Sequence, residues 1–225
     1  MYPLKKIKVF SDRYPYIGPL MWMLSIQYFI VQTVVAADWS IGYSLSKNTI
    51  SDLGNTTCGV YTTRFVCSPL HNLMNISFIV LGLFMTVGAV FIYKEFKKRT
   101  LTRLGFYLLG IAGFGTMVVG VFPENTVSFL HLTGAVLALL IGNVGIAVLG
   151  WALEVPKTLR VYSVISGSFS LVALLLYVSS ISAGIGLGEI ERLAAYPQTI
   201  WLIVFGLYMS KIRFIKFRKA ISIAS

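Results

Sequence analysis

All 27 charged residues of this 225-residue chain fall outside six apolar stretches, at 18–37, 70–93, 104–122, 130–153, 161–183 and 193–210. Each is long enough to cross a hydrocarbon core of about 30 Å, which takes about 20 helical residues. One Lys or Asp at mid-bilayer would cost roughly 2.5–3.5 kcal/mol, so six uncharged interiors are a strong constraint. Backbone groups in lipid need internal partners, and runs this long find them as helices. The sequence therefore predicts an all-α, polytopic membrane protein: six transmembrane helices as three outward-reaching hairpins, between an interfacial segment 1–17 and a basic tail 211–225. A hydrophobic content of 56% and a mean hydropathy of +0.80 agree.

The signs of the charges sort by side. With these spans, one side holds Lys5, Lys6, Lys8 and Arg13, the 94–103 loop, Lys157 and Arg160, and the tail from Lys211. That is 16 basic residues, against Lys47, Arg64 and Arg192 opposite. The positive-inside rule makes the basic side, with both termini, cytoplasmic. The outer side carries five acidic residues, Asp38, Asp52, Glu124, Glu189 and Glu191. The surplus of +11 over the whole chain suits anionic lipid headgroups, at about 1 kcal/mol per residue near the surface. Without a folded soluble domain to present it, nucleic acid binding is excluded. The expected location is the cell membrane, multi-pass.

The first span follows a basic region but has no small-residue cleavage site before Asp38, so it reads as a retained signal anchor. Tyr14, Pro15, Tyr16 and Trp22 suit the headgroup level. The first outer connection, 38–69, is the long one. It holds Cys58 and Cys67, where a disulfide can persist, and Asn55-Thr56-Thr57, a glycosylation sequon. Gly105, Gly110, Gly113 and Gly115 in the third span, with Gly134, Ala138, Gly142 and Gly145 in the fourth, read as surfaces for close helix packing rather than a passage. Ser163, Ser166 and Ser170 can bond carbonyls of their own helix. Gly184-Ile185-Gly186-Leu187-Gly188 reads as a flexible turn, since it matches no nucleotide-binding pattern.

Polar side chains without a topological role gather at the outer ends. They are Asn48-Thr49-Ile50-Ser51-Asp52-Leu53-Gly54-Asn55; His71, Asn72 and Asn75 opening the second span; Glu124 with His131; and Glu191-Arg192 before the sixth. Each alone has a bland account: Ser51-Asp52 can cap a short helix, and Glu191 with Arg192 can be a solvated pair. Together, at one membrane depth, they mark an outward-facing polar site. His131, Asp52, His71 and Glu124 are the candidate catalytic groups, suited to acid–base work by a His–carboxylate pair. Ser51, Asn72, Asn75, Glu191 and Arg192 are candidate ligand-binding groups, with Arg192 placed to attract phosphate and Ser51 the candidate nucleophile. Two histidines without H-x-x-x-H spacing do not make a zinc site, so neither metal nor cofactor is expected.

The run Asn48-Thr49-Ile50-Ser51-Asp52-Leu53-Gly54, then Phe122-Pro123-Glu124-Asn125 with His131-Leu132-Thr133-Gly134-Ala135, resembles the prokaryotic six-span family known as domain of unknown function 998. More distantly it is similar to the eukaryotic Frag/DRAM/Sfk group, with Glu191 as the acidic residue before the last span. The resemblance implies a six-helix bundle with cytoplasmic termini. In the eukaryotic group it implies roles around lipids, with no reaction to assign to residues. The expected function is binding or modifying lipid headgroups at the outer leaflet, as a lipid-directed hydrolase or transferase if an enzyme. The expected partners are membrane lipids. The alternatives are a non-enzymatic membrane-organising or regulatory protein and a small neutral-solute transporter.

Overall fold

The computed structural model describes residues 14–40, 42–97, 99–182 and 184–224, with side chains as far as 215. The basic residues Lys5, Lys6, Lys8, Arg13 and Lys98, and most of the expected interfacial segment, lie outside the described residues. Six helices are long and apolar enough to cross a membrane: 17–37, 71–93, 100–121, 128–152, 157–178 and 187–215. The first is α1 (Ile17–Leu24) and α2 (Gln27–Ala37), jointed at Ser25. The others are α3 (His71–Tyr93), α4 (Thr100–Val121), α5 (Ser128–Val136) continued through a π turn (Leu137–Ile141) into α6 (Gly142–Ala152), α7 (Lys157–Val178) and α8 (Leu187–Ala224). The long loop between α2 and α3 adds a 3-10 turn (Ser51–Gly54) and a hairpin of β1 (Gly59–Tyr61) and β2 (Arg64–Val66).

The spans form a closed ring: α1 packs on α3, α3 on α4, α4 on α5 and α6, α6 on α7, α7 on α8, and α8 back on α1. Glycine makes these approaches possible. A Cβ on Gly115 of α4 would stand 2.6 Å from the Gly134 carbonyl of α5, so the two backbones touch where a side chain would hold them apart. Gly110 differs, with open space at its Cβ position. Gly115→Val is expected to cost about 1–3 kcal/mol through overpacking. Gly110→Ala should be neutral, and thermal melting in detergent compares the two.

Three expectations change. Trp22 is not at the headgroup level but fully buried in an aromatic core, 5.4 Å from Trp201 and 5.7 Å from Phe205 between ring centroids. Its indole N–H reaches the Met85 carbonyl at 3.2 Å, and Gly88 leaves the space its ring fills. The sixth span begins at Leu187 rather than 193 and runs unbroken through the expected tail, to Ala224. Glu191 and Arg192 thus sit on a helix and not in a loop.

The third change concerns the α7 serines. Ser163 does bond within its own helix, to the Leu159 carbonyl at 2.7 Å, while also accepting the Trp201 indole N–H at 2.7 Å. Ser166 and Ser170 instead reach across to the Pro197 and Leu193 carbonyls of α8, at 3.2 and 3.5 Å. Pro197 lies inside α8 and has no N–H to give Leu193, four residues earlier. Ser170 supplies the hydrogen that proline lacks.

Candidate functional site

The long loop between α2 and α3 folds as a cap over one end of the ring, anchored on its own sequence. Thr49 and Asp52 make the reciprocal bonds of a capping box: the Asp52 N–H donates to Thr49 Oγ1 at 3.1 Å and the Thr49 N–H to Asp52 Oδ2 at 2.9 Å. Gly54 is where α3 presses closest. Asn75 Nδ2 donates to the Gly54 carbonyl at 2.9 Å, and any Cβ on Gly54 would collide with the Asn75 amide. Ser68 Oγ holds the Leu53 carbonyl at 2.7 Å. Cys58 and Cys67 are joined by a disulfide that closes the hairpin.

That hairpin delivers the first ionic cluster. Arg64, on β2, grips the fully buried Asp52 carboxylate with both prongs of its guanidinium, Nε to Oδ2 at 2.6 Å and Nη2 to Oδ1 at 2.7 Å. Two parallel charge-assisted bonds are the strong form of this pair. Glu124 approaches the same Nη2 at 4.0 Å. Burial, and next the Asp52 charge beside it, push the Glu124 carboxyl up to about 9.

The sign of the resulting pH dependence is fixed. An acid whose pKa rises on folding favours the native state most at low pH, and that contribution disappears as pH climbs to the folded pKa. Relative to Glu124→Gln, the wild-type protein should lose stability between about pH 4.5 and 9, by at most about 1.4 kcal/mol per pH unit. Melting curves of both proteins across that range test this. Parallel profiles would contradict it.

Arg192 has a different occupation from the one expected. Its Nη1 donates to the carbonyls of Gly188, Asn48 and Leu45 at 2.6, 2.9 and 3.0 Å, and its Nη2 to the Tyr43 hydroxyl. It is 6% exposed. A guanidinium whose Nη1 and Nη2 are held by carbonyls and a hydroxyl clamps the loop to α8, and its buried Nε alone has no hydrogen-bond partner among the described residues. The glycines before it serve the same contact: Gly184 and Gly186 have φ of +81° and +105°, and a Cβ on Gly188 would collide with the Asn48 and Leu45 carbonyls. The expected flexible turn is a fitted seat.

Ser51, the neighbour of Asp52, belongs to a second cluster. Its Oγ lies 3.1 Å from His131 Nε2 and 3.2 Å from Glu191 Oε1. His131 Nδ1 faces the Phe122 carbonyl at 2.9 Å. A carbonyl only accepts, so Nδ1 carries hydrogen and a neutral ring would present a lone pair at Nε2. The other Glu191 oxygen accepts the Ile50 N–H. One hydroxyl proton cannot serve both the Nε2 lone pair and a carboxylate. Both contacts become hydrogen bonds when the chain holds one further proton, on His131 at one end or on Glu191 at the other. Ser51 thus stands within hydrogen-bond reach of two groups, either of which can hold that proton.

This bridge faces inward. Ser51 and Glu191 line a cavity of about 60 Å³ inside the ring, otherwise walled by residues such as Tyr28, Phe78, Leu81, Val119 and Gln198. Ala138 and Leu139 of the π turn also line it, and π turns interrupt α-helices frequently at functional sites. The space holds about two waters at ~30 Å³ each. A family model described as "Protein of unknown function (DUF998)" matches residues 23–208. The chain belongs to this family. No curated protein and no solved structure matches, so the more distant likeness to the Frag/DRAM/Sfk group gains no support here.

Within this DUF998 protein, two of the four candidate catalytic groups, Asp52 and Glu124, form one ionic cluster, and His131 joins Ser51 and Glu191 in another. His71 stands apart: its Nδ1 meets only the Ser68 carbonyl, at 2.9 Å. Asn72 is exposed, so it does not share the buried face of Asn75. Among the described residues, no three His, Cys, Asp or Glu side chains could hold a metal. Asn55 is 2% exposed, enclosed where a glycan has no room. Arg64 is not among the residues expected at the site, although five acids and three bases expected on one side call for a buried partner. Tyr43, which receives Arg192, left no signal of its own.

Proposed function

We propose that this multi-pass DUF998 protein modifies membrane lipids at the capped end of its bundle, by acyl hydrolysis or transfer through Ser51. One observation carries the reading: Ser51 Oγ sits between an imidazole and a carboxylate on the wall of an apolar, intramembrane cavity. A serine within hydrogen-bond reach of a base that a third group orients is the arrangement of an activated nucleophile. Here the Phe122 carbonyl orients the ring. Ser51 Oγ would bond to the carbonyl carbon of a lipid ester as its proton moves to His131 Nε2. His131 then returns that proton to the departing alkoxide, and water or a second alcohol releases the acyl group. The cavity, at about 60 Å³, has room for the reacting carbonyl group. The charge distribution supports placing this end on the outer face of the cell membrane.

The test is mass spectrometry of lipids after incubation with protein reconstituted in vesicles of mixed phospholipids. Wild type should release fatty acid or a lysolipid, and Ser51→Ala should not while melting unchanged. Vesicle lipids left intact by the wild type would contradict the reading. A second reading, a membrane-organising protein whose polar cluster locks the cap, is favoured by the internal partners of the Asp52 carboxylate and of Arg192 Nη1 and Nη2. It predicts that variants at Ser51 and His131 retain cellular function.

A further inference from the structure

At the end of the ring opposite the cap, a cleft of about 360 Å³ opens between the α3–α4 connection, the α6–α7 connection and the far part of α8. That volume lies in the range of small-molecule sites, roughly 300–1,000 Å³. Among the described residues its charged lining is Lys97, Arg99 and Arg213 with Glu95 and Glu154, three cations against two carboxylates. The exposed pairs sit on the rim: Glu154 bridges Lys97 at 3.0 Å and Arg99 at 2.6 Å.

Arg213 is the unusual member. It is 7% exposed, and only its Nη2 is engaged, with Glu95 at 2.9 Å. Its Nε and Nη1 are buried with no hydrogen-bond partner among the described residues. A guanidinium held in a protein with two of its three nitrogens unsatisfied is costly unless an acceptor completes it. The rest of the wall, including Phe96, Leu153 and Met209, is apolar. The cleft thus combines a surplus of one positive charge, an incomplete buried fork and an apolar flank.

We propose that this cleft binds a single phosphodiester anion, the headgroup phosphate of an anionic phospholipid in the adjoining leaflet. Arginine matches phosphate geometry with paired N–H donors. One negative charge neutralises the surplus, and the glycerol and upper chains of a lipid suit the apolar wall. The site is separate from the Ser51 cavity, and its readout is retention rather than turnover, so either proposal can fail alone.

The experiment uses full-length protein, stripped of lipid in detergent and then offered phosphatidylglycerol, phosphatidylcholine or inorganic phosphate. Native mass spectrometry counts retained lipid, and melting reports stabilisation. One phosphatidylglycerol should be retained per chain, at concentrations at least tenfold below those needed for phosphatidylcholine. Arg213→Gln should abolish that preference. Arg99→Gln, at a side chain that is 58% exposed, should weaken it severalfold and answers alone if Arg213→Gln does not fold. If inorganic phosphate raises the melting temperature and displaces the lipid, the bound species is free phosphate at the same guanidinium. If it does neither while phosphatidylglycerol does both, the headgroup is the ligand. Equal retention of the two lipids with no effect of phosphate would overturn the proposal, as would wild-type preference in both variants.

Discussion

Arg64→Met is expected to destabilise the protein by about 3–5 kcal/mol, the range measured when one member of a buried ion pair is removed. Asp52 is fully buried and would keep only the Thr49 N–H at 2.9 Å and the Asn48 amide at 3.4 Å. Glu124 beside it, protonated near neutral pH, brings no cation to replace the guanidinium. For a chain of this size the loss corresponds to about 10 °C in melting temperature. Adding Asp52→Asn to Arg64→Met should return part of it, because no buried charge is left unpaired. Thermal melts of the single and double variants decide the matter. A single variant that melts with the wild type would show that the pair does not hold the cap.

His131→Ala should have its large effect on chemistry instead. A positioned general base contributes about 10²–10⁴-fold to rate, and lipid turnover should fall by that factor. The ring makes two hydrogen bonds, to the Phe122 carbonyl and Ser51 Oγ, so the stability cost should be about 1–3 kcal/mol. Turnover and melting temperature are measured on the same preparation. A variant that retains full turnover would remove His131 from the reaction. One that loses turnover only in proportion to folded protein would make it structural. Asp52→Asn is the informative contrast, because its effect should be on melting first.

The two levels of this account were unequally legible in the sequence. Six uncharged runs dictate six spans, because lipid penalises every buried charge and every open backbone group. The ends of the spans were less visible. Arg103, Lys157 and Arg160 lie within the helical turns at span ends, where long cationic side chains bury their stems and keep their heads wet. Glu191 and Arg192 were readable as polar outliers, yet their opposite uses were not. Arg192 is consumed by carbonyls of residues more than 140 positions earlier, and that pairing is set by how loop 42–48 drapes over α8. The Ser51-Asp52 dipeptide shows the same limit. Adjacent residues on a 3-10 turn face different neighbours, so one serves an ion pair and the other a histidine. Local spacing predicts the turn but not the partners it selects.

The most direct measurement is covalent capture of Ser51. Folded protein in lipid nanodiscs is treated with a lipid-tailed fluorophosphonate, and the adduct is mapped by peptide mass spectrometry. The proposed chemistry predicts one adduct, on Ser51, absent in Ser51→Ala and formed at least a hundredfold more slowly in His131→Ala. An unmodified Ser51 in folded wild-type protein, or equal labelling with and without the imidazole, would contradict it.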